Sequence, residues 1–180
     1  MKHSLVKHAV LMMAMAMSVT FVSCNEDDDL GAENNGTQET GRPAAVVFEY
    51  TNVESADMVE YCDIVLEYDD GSGAKTETIT STEWTKTFTT NLPCEYTFKK
   101  TVTLKADKDM AAAEKIKFIK NGHSYKYHLV DANGDQVNKD GSHSNIGTQT
   151  SAGSKIAEGV TKGSFNAINT FTFDAEGNLK

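Results

Sequence analysis

The sequence predicts an all-β fold, a two-layer antiparallel β-sandwich, for residues 44–180. Several short segments alternate apolar and polar residues, which is typical of strands that bury one face. Turn sequences that contain glycine separate these segments. No long helical segments alternate with them, which argues against an α/β fold built on a parallel sheet.

The first half of this domain is predicted to form four strands. Residues 44–50 and 58–68 alternate apolar side chains, although Glu60 interrupts the second pattern. The segments 76–80 and 82–90 are rich in threonine, and β-branched residues suit a pleated, half-buried surface. We therefore expect strands throughout this region and no helix.

The second half alternates again at residues 94–104 and 164–173, and the last segment is expected to close the sheet. Between them, the dipeptide Asn121-Gly122 separates residues 116–120 from residues 124–130. Such a dipeptide between two strand-like segments predicts a hairpin.

One short helix is predicted at residues 107–114, where Asp107 or Asp109 is a suitable N-cap before three alanines. Asn133-Gly134 predicts the next hairpin turn. About nine short strands joined by such turns favour an immunoglobulin-like sandwich. A small closed β-barrel is the alternative, because periodicity does not show whether a sheet meets itself.

The N-terminus is typical of a secretory signal peptide. Lys2 and Lys7 precede an apolar run at residues 9–22, which is a charged region followed by a hydrophobic one. The run has about 14 residues, whereas a membrane-spanning helix needs about 20. We therefore expect residues 1–23 to act as a removable signal.

The residues around Cys24 resemble the processing site of bacterial lipoproteins. Phe21-Val22-Ser23 before the cysteine is similar to a lipobox, and four acidic residues follow at positions 26–29. Together they resemble the export signal of Bacteroidota-type surface lipoproteins. This resemblance implies acylation of Cys24, membrane lipid as a partner, and an outer-membrane location facing the cell exterior. A lipoprotein that faces the periplasm is the alternative.

Residues 24–43 are predicted to be a flexible acidic tether. Positions 25–43 hold six acidic residues and one arginine, and Leu30 is their only large apolar side chain. Such a segment buries too little apolar surface to offset the entropy of ordering it. The folded domain is therefore expected at residues 44–180.

Composition and motifs limit the function. The chain has 26 acidic and 17 basic residues, which argues against nucleic acid as a partner. The sequence contains no Ser-His-Asp arrangement, Gly-rich phosphate loop or HExxH segment. The spacing of Asp131, Asn133 and Asp135 is similar to the start of a calcium loop, but the later ligands are absent and a turn explains it. We predict neither catalysis nor a cofactor.

Cys62 and Cys94 share the parity of the apolar residues in their strands. In an exported protein such a pair is a candidate disulfide. Two buried free thiols, acting as small hydrophobic groups, are the alternative.

Five residues are predicted as ligand contacts: Trp84, Lys99, Lys115, Lys117 and His143. Trp84 is either a core anchor or a platform that stacks on a sugar ring. His143 lies within residues 140–153. This segment is predicted to be a long loop that either binds a ligand or is flexible. The three lysines belong to a basic segment that follows an acidic one, so they either pair across strands, which we favour, or attract an anionic glycan or a partner protein.

These observations predict a non-catalytic cell-surface binding module for a glycan or another extracellular ligand. A structural or accessory subunit of an outer-membrane or fimbrial assembly is the alternative. An exposed Trp84 beside a polar groove favours the first, and an unpaired apolar edge strand favours the second.

Overall fold

A computed structural model describes residues 41–69 and 71–180. The predicted signal segment, Cys24 and most of the tether lie outside the described residues. Ten strands occur in the described chain: β1 Ala45–Val53, β2 Cys62–Asp69, β3 Ala74–Ile79, β4 Glu83–Asn91, β5 Cys94–Leu104, β6 Ile116–Ile119, β7 His123–Val130, β8 Gln136–Asn145, β9 Thr148–Ser151 and β10 Ala167–Phe173. Helix α1 spans Ala56–Tyr61, a 3-10 turn spans Met110–Ala112, and helix α2 spans Gly153–Thr161.

The strands form two four-stranded antiparallel sheets and one small sheet. Sheet A has the order β4-β1-β7-β8, sheet B the order β10-β5-β2-β3, and sheet C pairs β6 with β9. The predicted all-β sandwich is confirmed, and the sheets do not close into a barrel. The strand order differs from the immunoglobulin-like one, because β1 lies between β4 and β7 and not at a sheet edge.

Aromatic side chains fill the space between sheets A and B. Phe48 of β1 stacks on Tyr96 of β5 with ring centroids 4.7 Å apart. Two residues further along both strands, Tyr50 stacks on Phe98 at 3.8 Å. The alternation in these two strands arises because every second side chain enters this core. Truncating one of these rings to alanine should lower the free energy of unfolding by about 3–5 kcal/mol.

Helix α2 packs on the 3-10 turn beside the main core. Ile156 and Val160 are buried one helical turn apart, which is the spacing that puts two side chains on one helix face. At the start of the helix, a Cβ on Gly153 would lie 2.0 Å from the carbonyl oxygen of Met110. Only glycine permits this approach. Among the described residues, no helix is long and apolar enough to cross a membrane.

The predicted strand at residues 58–68 begins too early. Residues 56–61 form α1, where the Ser55 hydroxyl accepts a hydrogen bond from the Met58 amide as an N-cap. This helix explains why Glu60 breaks the alternation. The predicted helix at residues 107–114 is a single 3-10 turn, with the Asp109 side chain as its cap.

Two further expectations are wrong. Residues 116–120 and 124–130 do not form a hairpin, because β6 pairs with β9 and the turn at Asn121 leads into sheet A. Residues 140–153 are not a long loop, since they continue β8 and then form β9.

The candidate disulfide is not formed, and both thiols are free. Cys62 lies opposite Leu104 in the register of β2 and β5. Cys94 is at the other end of β5, ten residues from that point, a distance of about 33 Å along a strand. Burial and the nearby Glu54 carboxylate raise the pKa of Cys62 to about 11, so this thiol is protonated at neutral pH.

Candidate functional site

A cleft lies on the outer face of sheet A, and we call it the sheet A cleft. Its volume is about 720 Å³, within the range of about 300–1,000 Å³ typical of small-ligand sites. All four strands of the sheet contribute lining residues: Val47, Glu49, Thr87, Lys126, Tyr127, His128, Gln136, Asp140, Gly141 and Ser142.

Strand register arranges most of these residues in two rows across the sheet. The first row consists of Thr87, Glu49, Lys126 and Ser142. The second row consists of Val47, His128 and Asp140. Neighbours in a row lie directly opposite each other on adjacent strands, where Cβ atoms are about 5 Å apart. The rows therefore place hydroxyl, carboxylate, amine and imidazole groups side by side.

Strand β8 departs from regular pairing beside the cleft. His128 lies opposite Asp140, but its neighbour Leu129 lies opposite Val137, so β8 carries two extra residues here. A bulge bends its strand. Just after it, a Cβ on Gly141 would lie 2.3 Å from Cε1 of Tyr127. Glycine therefore leaves the space that the Tyr127 ring needs against β8.

The cleft has a small excess of negative charge. Glu49 Oε1 and Lys126 Nζ are 2.9 Å apart, and Asp140 Oδ1 accepts a hydrogen bond of 2.9 Å from Gln136 Nε2. Burial, with the nearby Tyr125 and Asp140, raises the pKa of Tyr127. Its phenol is therefore protonated at neutral pH.

Trp84 does not line the sheet A cleft. It lies on β4 on the face opposite to Thr87, where it is half-buried and packs against the core. Its ring is 5.3 Å from that of Tyr68, and its Nε1 donates a hydrogen bond of 2.8 Å to Glu77 Oε2. This placement agrees with a partly buried core anchor and not with an exposed platform for a sugar.

His143 lies on β8 next to Ser142 but on the opposite face. Its ring centroid is 5.8 Å from that of Tyr125 and 6.2 Å from that of His123. His123 is half-buried, its Nδ1 lies 3.0 Å from the carbonyl oxygen of Asn121, and burial lowers its pKa. Both histidines lie on the inner side of sheet A, where His143 is exposed because β8 is an edge strand.

The predicted lysine contacts are spread over the molecule. Lys99 lies in sheet B and pairs with Glu67 at 3.1 Å. Lys115 precedes β6 and Lys117 lies within it, both exposed. The five predicted contact residues therefore do not meet in one site. Within the basic segment, residues 99–126, the favoured cross-strand pairing is seen at Lys99 with Glu67 and at Lys126 with Glu49. Lys100 and Lys108 also pair with glutamates, but those glutamates lie outside the strands.

Within residues 41–69 and 71–180, no cluster of His, Cys, Asp and Glu side chains is placed to hold a metal ion. In the segment that is similar to a calcium loop, Asp131 Oδ1 accepts hydrogen bonds from the amides of Asn133 and Asp135, at 2.8 and 3.0 Å. The carboxylate therefore closes a turn. Comparison with protein-family models, curated proteins and solved structures finds no match to this chain.

The sheet A cleft was missed at the level of sequence. Most of its residues occupy outward positions of four strands, and outward polar residues look the same on any solvated sheet. The signals available were the opposite charges of Glu49 and Lys126 and the glycine at position 141. Neither signal indicates a site by itself, because the site depends on the register that brings β1, β7 and β8 together.

Proposed function

We propose that the chain is a lipid-anchored cell-surface protein whose sheet A cleft binds a neutral glycan without catalysing a reaction. The observation that supports this most is the pair of polar rows across the cleft. Sugar hydroxyls both donate and accept hydrogen bonds. The rows offer both kinds of partner, since Lys126 and Ser142 donate while Glu49 and Asp140 accept.

Charge favours a neutral ligand over an anionic one. The cleft contains two carboxylates and one amine, and the amine is already paired with Glu49. Of the predicted lysine contacts, Lys99 is paired with Glu67, and Lys115 and Lys117 lie outside the cleft. An anionic ligand would therefore meet net repulsion in the cleft.

The anchoring part of the proposal rests on the sequence. Acylation of Cys24 would hold the chain at the outer membrane, and the tether at residues 24–43 would span about 22–26 Å as a flexible coil. That reach would present the cleft to glycans outside the cell.

A structural or accessory subunit of an outer-membrane or fimbrial assembly is the second candidate, and the edge of β10 favours it. Among the described strands, β10 pairs only with β5. On its other side, the described residues form one isolated bridge, between Phe173 and Leu179. Ile168 on this strand is 67% exposed. An open edge with an exposed apolar side chain is suited to receiving a strand from a partner.

A glycan array carrying neutral and acidic oligosaccharides, probed with the full chain, tests the proposal. We expect binding to neutral members. A hydrogen bond to a charged group contributes about 1.5–3 kcal/mol, so the double variant Glu49→Ala/Lys126→Ala should bind about ten- to a hundredfold more weakly.

The matched control is Glu67→Ala/Lys99→Ala, which removes an equivalent exposed cross-strand ion pair from sheet B. This variant should bind as the wild type does. An array without binding, or an equal loss in both double variants, would contradict glycan binding in the sheet A cleft.

A further inference from the structure

Three polar side chains are buried together between sheets A and B. Asn52 is 1% exposed, and Glu54 and Lys100 are each 3% exposed. Lys100 Nζ donates a hydrogen bond of 2.6 Å to Glu54 Oε1. Asn52 Nδ2 donates to the same oxygen at 3.2 Å. One carboxylate oxygen therefore contacts both a primary amine and a carboxamide nitrogen.

The facing register of β1 and β5 explains why these groups meet. Phe48 faces Tyr96 and Tyr50 faces Phe98, at 4.7 and 3.8 Å between ring centroids. The next inward position on each strand, two residues further on, is Asn52 on β1 and Lys100 on β5. The polar pair thus continues the stack of aromatic pairs and is set in the same apolar interior.

Burial changes the chemistry of this trio. Two opposite charges are costly to bury, and the 2.6 Å contact gives Lys100 Nζ a direct path for passing a proton to Glu54. An amine that has passed on its proton is a nucleophile, and the carboxylic acid that receives the proton is a proton donor. The carboxamide of Asn52 is held against that same acid, within two hydrogen-bond lengths of the amine nitrogen. Such positioning greatly raises the effective concentration of the reacting groups.

We propose that Lys100 and Asn52 form an intramolecular isopeptide bond and that Glu54 transfers the protons. Lys100 Nζ attacks Cγ of Asn52, so that an Nζ–Cγ bond forms and the Cγ–Nδ2 bond breaks. Glu54 takes a proton from Nζ and delivers one to Nδ2, which leaves as ammonia. Glu54 ends in its starting state, and the step needs no oxidant or cofactor.

The bond joins β1 of sheet A to β5 of sheet B. It closes a long loop of chain and constrains the unfolded state as a disulfide does. The free thiols Cys62 and Cys94 supply no such link between the sheets. An isopeptide bond would also resist extracellular reductants.

Mass spectrometry of the full chain tests this proposal directly. Digestion with trypsin and a glutamate-specific protease releases residues 50–54 (YTNVE) and residues 101–105 (TVTLK) as separate peptides if Lys100 is free. If the bond forms, trypsin does not cut after Lys100. Residues 50–54 then appear joined to residues 100–105. The mass of this branched peptide is lower by one ammonia molecule than the summed masses of the free peptides 50–54 and 100–105.

Variants assign the roles. Lys100→Arg and Asn52→Ala should abolish the branched peptide. Glu54→Gln keeps the shape but removes the proton carrier, so bond formation should slow about a hundredfold or more. Lys99→Arg, a change at the adjacent exposed lysine, should leave the branched peptide intact.

The wild-type digest decides the matter even if a variant fails to fold. A wild-type chain that gives only the two separate peptides would show that the trio is a structural ion pair, and the proposal would be wrong. A branched peptide that persists unchanged in Glu54→Gln would refute the role of Glu54.

Discussion

Gly141→Ala should destabilise the fold because the Tyr127 ring occupies the place of the new methyl group. A Cβ at this position would lie 2.3, 2.5 and 2.6 Å from Cε1, Cζ and Oη of Tyr127. Ordinary contacts between such atoms are about 3.5–4.0 Å, so the ring must move by about 1 Å. The ring of Phe173, with its centroid 4.9 Å away, restricts that movement.

Overpacking of this kind costs about 1–3 kcal/mol. For a domain of this size, each kcal/mol lowers the thermal midpoint by about 3–5 °C, so we expect a decrease of about 3–15 °C. Thermal unfolding followed by circular dichroism measures it. Gly147→Ala is the matched control, because a Cβ there would meet nothing within 4 Å, and its midpoint should be close to that of the wild type.

A double-mutant cycle identifies the cause. In a Tyr127→Leu background the methyl group has room, so Gly141→Ala should cost much less than it does beside the tyrosine. An unchanged midpoint for Gly141→Ala in the wild-type background would refute this reasoning. Equal losses in both backgrounds would do so as well.

Three further predictions concern the titratable and reactive groups. Burial lowers the pKa of His123 from its ordinary value of 6.5. The unfolded chain therefore binds that proton more readily, and stability falls as the pH drops below about 6.5. Between about pH 7.5 and about pH 5.5, the thermal midpoint should fall more for the wild type than for His123→Gln. Cys62, 1% exposed and with a raised pKa, should resist alkylation in the native chain, whereas denaturation without reductant should make both Cys62 and Cys94 reactive. Cys24→Ala should abolish incorporation of a fatty-acid analogue in cells, and equal labelling of variant and wild type would contradict lipidation. The wild type on intact cells should be cleaved by added protease, and a protected wild type would contradict surface display.

Sequence pattern predicts the strands that bury one complete face. β1 and β5 were predicted correctly because each places a series of large apolar side chains in the core. Their partners were not predictable in the same way, since pairing depends on contacts between distant segments. β6 and β9 show this, because each has four residues and carries too short a pattern to identify the other.

Helix α2 was missed because its sequence has weak local preference for a helix. Gly153 and Gly159 lower that preference, and the helix depends on burying Ile156 and Val160.

The buried trio of Asn52, Glu54 and Lys100 was missed because Lys100 is distant in sequence from the other two members. Lys100 interrupts the apolar alternation of β5 in the sequence, but its partner Glu54 lies in another part of the sequence.

The central claim is that the sheet A cleft binds a neutral glycan, and an NMR titration tests it most directly. The full chain would be titrated with the neutral oligosaccharide that binds most strongly on the array, while backbone amide shifts are followed. We predict that the perturbed amides cluster at residues 47–49, 126–128 and 136–142. Perturbations centred on β10, or around Trp84, would place the ligand elsewhere and contradict the claim.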